Sequence, residues 1–492
     1  MSGKVIIAGG GPTGLMLACE LGLLGVETVV LEKRAEPSGE SRGMGFHARS
    51  VELLNQRGLR DRLYRDNPLV WPKVHFALFW LDMSTVDEDE YTLVMPQWRV
   101  EQILEERAGE LGVDVRRGHE VAALSQDDNQ VTVGVRAPTG NYELAADYVV
   151  GADGGGSAVR RLAGIGFEDF GGLKYYGVLA DVRIDGPRER FAPSLHPTGM
   201  YVEVLGQDDM LRIMSVEFDV EAPDRSTPVT LAELKGSARR VAGKDLDLPE
   251  PQWMSRFSSG FRMAERFRAG RVLLAGDAAH IHFPAGGQGL NTGIQDAVNL
   301  GWKLAAELGG WAPPGLLDSY HTERYPVGAK VLANSQAQLA LMYPVPKVNP
   351  LREVFAELTR LPEVNRYLVE MVAGLAVTYP MPDVPDHPLL GRRAPNVTLS
   401  TVDGEVTVAE LLRDGNGVLL DLSGDAAELP DCDGWAGRLR VVQAEPHDRL
   451  AAPVLLIRPD GHVALADRDP SALRRALDTW FGAPAAATVG VR

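Results

Sequence analysis

The feature that most constrains this chain is the run Val5-Ile6-Ile7-Ala8-Gly9-Gly10-Gly11-Pro12-Thr13-Gly14 near its start. Lys4 to Ala8 reads as a short buried strand and Pro12 to Leu24 as a helix, with Leu17, Leu21 and Leu24 at helical spacing. Glu27 to Glu32 reads as a second buried strand, so strand, helix and strand form a βαβ unit. Gly9, Gly11 and Gly14 fall at G-x-G-x-x-G spacing, and Glu32 ends the second strand. The spacing alone is a weak signal; its place between a strand and a helix, with an acid after the next strand, gives it meaning. Gly9 permits the tight turn, Gly11 lets a pyrophosphate approach the main chain, and Gly14 allows close helix–strand packing. The helix N-terminus offers unpaired N–H groups and a positive dipole end to phosphates. Glu32 can accept hydrogen bonds from an adenosine ribose. A glycine-rich turn without a ligand is the alternative, and it leaves the accompanying elements unexplained.

Two later stretches add to this. Residues 270–280 read Gly-Arg-Val-Leu-Leu-Ala-Gly-Asp-Ala-Ala-His, and Pro284-Ala285-Gly286-Gly287-Gln288-Gly289-Leu290-Asn291-Thr292-Gly293 follows. Arg271 to Ala275 reads as a buried strand delivering Asp277, whose carboxylate could hold the hydroxyls of a ribityl chain. The loop from Gly286 to Gly293 then opens a helix expected from about Gly293 to Leu308. Its N–H groups would favour developing anionic character on a flavin ring. Asp277 taken alone would serve equally as a helix N-cap. The third stretch, Tyr148-Val149-Val150-Gly151-Ala152-Asp153-Gly154-Gly155-Gly156-Ser157-Ala158-Val159-Arg160, reads by itself as an ordinary strand ending in Asp153, a glycine turn, and a helix begun by Ser157 and Arg160.

The rest of the chain sets bounds. Its 492 residues, 45% hydrophobic, suggest two to four domains with ample core. A net charge of −17 argues against nucleic acid or an anionic membrane as the main partner. No run of apolar residues is long enough for a membrane span. The opening Met1-Ser2-Gly3-Lys4 leads straight into a strand rather than into a signal peptide. Two cysteines, Cys19 and Cys432, make no disulfide framework and point to a reducing, cytoplasmic compartment. From about 171 to 261 the pattern changes to antiparallel strands, including Met200 to Leu205 and Met210 to Val220 around the turn Gly206-Gln207-Asp208-Asp209. Prolines 344, 346, 350, 380, 382, 385 and 388 punctuate a helical segment and mark a boundary. Beyond it, Val418 to Leu422, Leu439 to Val442 and Val454 to Arg458 read as strands of a small α/β domain, with Pro459-Asp460-Gly461 turning into one more.

The three motifs, in this order, resemble those of the single-component FAD-dependent aromatic hydroxylases, the family of para-hydroxybenzoate and phenol hydroxylases. Ser41-Arg42-Gly43-Met44-Gly45-Phe46-His47-Ala48-Arg49-Ser50-Val51-Glu52, together with the chain's size, resembles the polyketide hydroxylase branch. The resemblance implies an α/β fold. A Rossmann-like FAD-binding domain (1–170 and 262–390, with a helical extension) would carry an inserted mixed or antiparallel-sheet substrate domain (171–261, joined by 70–96). A thioredoxin-like domain (391–492) would follow. It implies that Gly9, Gly11 and Gly14 cradle the pyrophosphate of non-covalent FAD and that Glu32 holds the adenosine ribose. Arg42 would contact FAD near the pyrophosphate, and Gln97 its middle portion. Asp153 would serve FAD and NAD(P)H, and Asp277 the ribityl chain. Pro284, Gly289, Leu290 and Asn291 would border the isoalloxazine. Pro12, Thr13, Lys33 and Val121 complete the implied cofactor contacts. The chain departs from the family at Met44, where simple-phenol hydroxylases carry an aspartate, at Ser50 and Ala285, each in place of a threonine, and in lacking Cys-x-x-Cys around Cys432.

The implied reaction is monooxygenation. NADPH or NADH docks transiently and reduces the flavin, molecular oxygen forms a C4a-hydroperoxyflavin, and one oxygen passes to a polycyclic aromatic polyketide in antibiotic biosynthesis. No side-chain base is identified. Substrate is expected between the FAD domain and the mid-chain sheet, against Met44, His47, Trp80, Met200, Tyr201, Met214 and Phe261; these residues fit plain core as well. No metal is expected, since His47, His280 and His282 lack an obvious third ligand. Baeyer–Villiger insertion, antibiotic-inactivating oxygenation and a flavin-bearing protein without redox activity remain as alternatives; a halogenase lacks its Trp-x-Trp-x-x-Pro signature here. Oligomeric state is not readable.

Overall fold

The stretch Val5-Ile6-Ile7-Ala8 carries no polar side chain, so a strand made of it must be covered on both faces. In the computed structural model it lies inside a six-stranded sheet. The order is Arg268–Ala269, Val272–Leu274, Tyr148–Gly151, Lys4–Ala8, Glu27–Glu32, Asp114–Arg117. All neighbours pair in parallel except the first two. The structure describes residues 3–485 apart from 38, 89, 185–188, 190, 207–209, 224–226, 259, 344 and 425–430. The helix Pro12–Leu23 crosses the sheet and packs on the helices Gln97–Glu110 and Gln288–Leu308.

That last helix starts at Gln288, five residues before the expected Gly293. Gly286 (φ +72°) and Gly287 (φ +63°) make the left-handed turn, and Gly289 and Gly293 lie inside the helix. Glycine weakens helix propensity, which hides the start; the structure needs it at 293, where a Cβ would come 2.3 Å from Thr13 Oγ1. Nor does a strand deliver Asp277 directly. The strand ends at Leu274, and a 3₁₀ turn, Gly276–Ala278, carries the aspartate.

The second sheet is antiparallel, in the order Phe191–His196, Gly199–Leu205, Met210–Phe218, Tyr175–Arg183, Trp253–Ser258. Of the expected turn at 206–209, only Gly206 lies within the described residues. One face is covered by the helix Leu231–Ala242, capped by the Thr230 side chain and ended by left-handed Gly243. The other face carries Met200, Val202, Val216 and Phe218, which pack with Phe283 and Ala285 of the glycine loop and with Val74, Phe76 and Leu81. The last three belong to the hairpin Lys73–Phe76 and Phe79–Asp82, so residues in 70–96 do meet this sheet.

Pro326 and Pro350 sit inside the helices Ser319–Ala340 and Val345–Leu358, so proline marks a boundary only from Pro380 onward; Pro344 lies outside the described residues. The C-terminal sheet runs Leu439–Gln443, Gly417–Asp421, Val454–Ile457, Val463–Leu465, with one parallel and two antiparallel pairings. The helix Pro470–Phe481, N-capped by Asp469, buries Leu473, Leu477, Trp480 and Phe481 against it. Among the described residues no helix is long and apolar enough to cross a membrane.

Candidate functional site, a main-chain cradle facing an apolar sheet

The glycine motif closes on itself by backbone contact. A Cβ on Gly14 would lie 2.0 Å from Gly9 O, and one on Gly9 would lie 2.3 Å from Ala152 O. The first and third motifs therefore meet at adjacent strand ends, where the Ala152 N–H donates to Ala8 O at 2.8 Å. Gly11 differs: a Cβ there would meet nothing within 4 Å. That open side, at a helix start with no side-chain cap, is where a pyrophosphate could reach the first-turn N–H groups. Glu32 accepts from the Gly10 N–H at 2.7 Å and the Arg34 N–H at 2.8 Å. Each carboxylate oxygen keeps a lone pair, so Glu32 can shape the loop and still accept from a ribose. Lys33 is exposed beside it. Val121 follows His119, whose N–H donates to Glu32 O at 2.9 Å, and its side chain is buried in the main core.

The second motif converges on the same point. Gly276 (φ +60°) and Gly293 both approach Thr13, at 2.7 and 2.3 Å from where a Cβ would stand to Oγ1. Fully buried Asp296 fixes the turn before Asp277. It accepts from the Gly276 N–H at 3.0 Å, His280 Nε2 at 2.8 Å and Arg324 Nε at 2.6 Å. Burial alone would raise the Asp296 carboxyl, but Arg324 and His280 outweigh it and hold it low. Asp277 shows an open side-chain surface although protein atoms surround it, the mark of a residue on the floor of a concavity. That enclosure pushes its carboxyl up, opposed by His280 and Arg42. Asp153 accepts from the N–H groups of Ala158 (2.6 Å) and Val159 (3.2 Å), leaving its other buried oxygen without a partner in the protein.

The segment 41–50 lies across this floor. Gly43 N–H donates to Gln97 Oε1 at 3.1 Å, while Gln97 Nε2 donates to Glu101 at 2.7 Å. Arg42 is exposed, and Arg212 of the second sheet donates to the carbonyls of Ser41 and Arg42. Asn291 ties the segment to the long helix. Its Oδ1 accepts from the His47 N–H at 2.8 Å, and its Nδ2 donates to Gly45 O (3.0 Å) and Gly287 O (2.8 Å). Pro284 is exposed at the loop's start, and Leu290 lies against Gly43, 3.2 Å from where its Cβ would be.

The expected substrate residues divide. Met44 is half-buried, with its Cε 3.1 Å from where a Cβ on Gly206 would stand, so it bridges the segment and the sheet. Met200 and Met214 lie on the sheet face turned to the glycine loop. Tyr201 is a correction. Side chains alternate along a strand, and Tyr201 points the other way, fully buried under the helix Leu231–Ala242 with its OH donating to Glu203 at 2.7 Å. Phe261 is closed core beside Gly172. His47 is a second correction: it is buried with both ring nitrogens engaged, by Thr92 Oγ1 (3.1 Å) and Gly286 O (2.6 Å). Burial pushes its pKa down, opposed by the bond to Gly286 O, and its two ring contacts are to the protein. Trp80 is 38% exposed and packs edge-on against Phe191 at 4.6 Å, on the hairpin outside this floor.

Sequence reasoning missed Asp296, Arg324 and Thr13 as the supports that join the motifs; aspartate and arginine inside a helix pattern give no signal of burial. A cavity of about 420 Å³ lies elsewhere, between the helix Ala48–Gln56 and the C-terminal domain. Its arginines 393 and 449 are paired with Glu52, Glu90 and Asp87. Among the described residues no group of three His, Cys, Asp or Glu could hold a metal. Burial and the flanking aspartates 431 and 433 raise the Cys432 thiol, which disfavours thiolate chemistry.

The profile of the FAD binding domain family matches residues 2–335, and that of the aromatic-ring hydroxylase C-terminal region matches residues 387–484. The chain is 45% identical to the 12-dehydrotetracycline 5-monooxygenase/anhydrotetracycline 6-monooxygenase of Streptomyces rimosus, over 98% of this chain and 99% of that one. It is also 45% identical to a dialkyldecalin synthase of Streptomyces rugosporus, over 99% and 100%. The solved structure of the anhydrotetracycline hydroxylase OxyS from Streptomyces rimosus superposes with a TM-score of 0.91 at 44% identity, covering 99% of this chain and 100% of that one.

Proposed function

Because the chain belongs to the FAD-dependent aromatic-ring hydroxylases, we propose that it hydroxylates a polycyclic aromatic polyketide in antibiotic biosynthesis, with NADPH or NADH as reductant. The observation that carries this reading is the meeting of three main-chain motifs around the open side of Gly11, opposite a wall of methionines. FAD, when bound, supplies hydride acceptance and the activation of molecular oxygen. The chain's own residues bind, orient and exclude water. Gly11 and the first turn after it would hold the pyrophosphate, Glu32 the ribose, and Asp277 the ribityl hydroxyls. Asp153 keeps one oxygen for the same cofactor or for the nicotinamide.

Met44, Met200 and Met214 present polarizable thioethers, which suit a broad flat aromatic surface. Met44 offers no proton acceptor, and both ring nitrogens of buried His47 are engaged by Thr92 Oγ1 and Gly286 O. The substrate ring must therefore be electron-rich through its own hydroxyl groups rather than through a protein base. The cytoplasm is the proposed compartment, and no nucleic acid or membrane partner is proposed.

The test is NADPH oxidation by the purified yellow protein with a panel of polycyclic phenols and quinones, the products read by mass spectrometry. Faster oxidation with a gain of one oxygen supports the reading, and the product's structure separates ring hydroxylation from lactone formation. A second reading is favoured by the 45% identity to a dialkyldecalin synthase: a flavin-bearing protein that shapes a polyketide without oxidising it. Bound FAD, no NAD(P)H consumption and a product isomeric with its precursor would establish that reading instead.

A further inference from the structure

Among the contacts that join the C-terminal domain to the rest of the chain, the tight turn Pro459-Asp460-Gly461 is surrounded by buried charge. Arg458 is fully buried and donates to Glu323 through Nη1 (2.6 Å) and Nη2 (2.9 Å), and to both oxygens of Asp460. Lys303, also fully buried, donates to Glu323 at 2.7 Å and to Asn299 Oδ1 at 2.9 Å. Asn299 Nδ2 donates to Glu323 (2.7 Å) and across the seam to Asp460 Oδ2 (3.2 Å). Two cations and two carboxylates thus balance. Arg458 also lies over the rings of Trp480, Tyr379 and Trp302, at 4.3, 5.2 and 5.3 Å.

The main chain of the same turn grips a second helix. Arg49 Nη2 donates to Asp460 O at 2.7 Å. Arg57 donates to Pro459 O at 2.8 Å while holding Glu20 of the first glycine-motif helix at 2.6 and 2.9 Å. Gly461 (φ +79°) sits so close that a Cβ would stand 3.1 Å from Gln56 and 3.4 Å from Arg49. Arg49, Gln56 and Arg57 belong to, or directly follow, the helix Ala48–Gln56, which continues from the segment carrying Arg42 and Met44. Asn299 belongs to the helix Gln288–Leu308, whose first turn is the glycine loop. These two helices are fastened together at the cofactor end by Asn291 and His47. They are fastened again, about 12 Å along the long helix, by the turn 459–461.

We infer that the turn Pro459-Asp460-Gly461, with Arg458, is a positioning device for FAD: it fixes the helices that present the segment 41–47 and the loop 286–291 to the flavin. This rests on the FAD-dependent reading but not on the polyketide substrate. The C-terminal domain, without a thiol pair of its own, would act on the flavin through this brace. Arg458 and Asp460 are positioning residues, since they touch no part of the cradle.

The test uses the full-length holoprotein and needs no substrate. Gly461→Ala keeps every charge in place and wedges the turn; Arg458→Met removes the central cation, and Arg458→Lys is the conservative control. For folded, monodisperse variants the dissociation constant of FAD and hydrogen exchange of the amides 286–293 are measured. Gly461→Ala is expected to weaken FAD binding about three- to thirtyfold, as perturbed coupling networks do, and to speed exchange at 286–293. Arg458→Lys should restore part of what Arg458→Met loses. A lowered melting temperature with FAD affinity and exchange at 286–293 unchanged in Gly461→Ala would overturn the proposal and leave the turn as plain structural contact. If Arg458→Met fails to fold, Gly461→Ala and Asn299→Ala decide by the same two readouts. Unchanged FAD binding in these variants leaves the hydroxylase reading untouched, whereas a wild-type protein that binds no FAD would end both.

Discussion

The floor of the site and the wall above it are made of different materials. The floor is main chain: Gly9, Gly14, Gly276 and Gly293 bring backbones and Thr13 within contact around the open side of Gly11, and carboxylates 32, 153 and 277 stand at its corners. The wall is side chain: Met200, Val202, Met214 and Val216 project from a pleated sheet onto Phe283 and Ala285. A main-chain floor tolerates almost no substitution, because a Cβ would strike an atom that cannot move. A side-chain wall can be repacked, so long as volume is kept. A conserved cofactor with a variable substrate asks for such a division.

The contrast can be pressed hardest at the glycines. Gly14→Ala should leave little folded protein, a loss of more than about 4 kcal/mol, since its Cβ would lie 2.0 Å from Gly9 O. Gly11→Ala should keep the melting temperature of FAD-free protein and weaken FAD binding, because its Cβ meets only open space. Equal melting temperatures for the two variants would break the idea of a rigid floor. Next in size is Asp277→Ala, expected to lower FAD affinity by about ten- to a hundredfold, the worth of a charged hydrogen bond. Unchanged flavin content on purification would contradict the role given to it.

On the wall, Met44→Ala should lower kcat/KM for the aromatic substrate about tenfold. Tyr201→Phe should leave kcat/KM alone and cost about 1 kcal/mol of stability through the lost bond to Glu203. Matching kinetic losses in both would mean that the two faces of the sheet are not distinct. The smallest effect concerns acid. Burial would raise the Glu323 carboxyl, but Arg458 and Lys303 pull it down to about 2. A depressed carboxyl stabilises the fold above its ordinary value near 4.5, and that contribution fades as pH falls toward 2. Melting temperature should therefore drop below about pH 4.5. The gap between wild type and Arg458→Met, large at pH 7, should narrow as the medium is acidified; parallel curves would refute this.

The same division decides what the residues reveal in one dimension. Gly9, Gly11 and Gly14 are legible because backbone approach demands glycine at particular spacings, whereas Asp153 stands out only through the family resemblance and Asp277 only with the glycine loop after it. Met200 and Tyr201 are adjacent and both apolar enough for a core. Alternation says that they face apart, yet not which of them faces the ligand; only the helix over Ser215 and Tyr201 settles that. Gln288 as the start of the long helix is masked by Gly289 and Gly293, which local propensity reads as loop. Arg458, Glu323 and Asp460 read as surface charges by type, and their partnership spans 135 residues of chain. Long-range ion pairing leaves no periodic trace.

The brace at residues 458–461 also bears on modular exchange. A C-terminal module transplanted from a relative brings its own turn into a socket it did not shape. A single unmatched charge in that socket would cost about 3–5 kcal/mol, comparable with much of a domain's net stability. Compatibility should therefore be judged at five recipient positions, Arg49, Arg57, Asn299, Lys303 and Glu323, before overall similarity. Chimeras that carry those positions with the graft should assemble as units, while grafts of the module alone should come out of cells poorly folded.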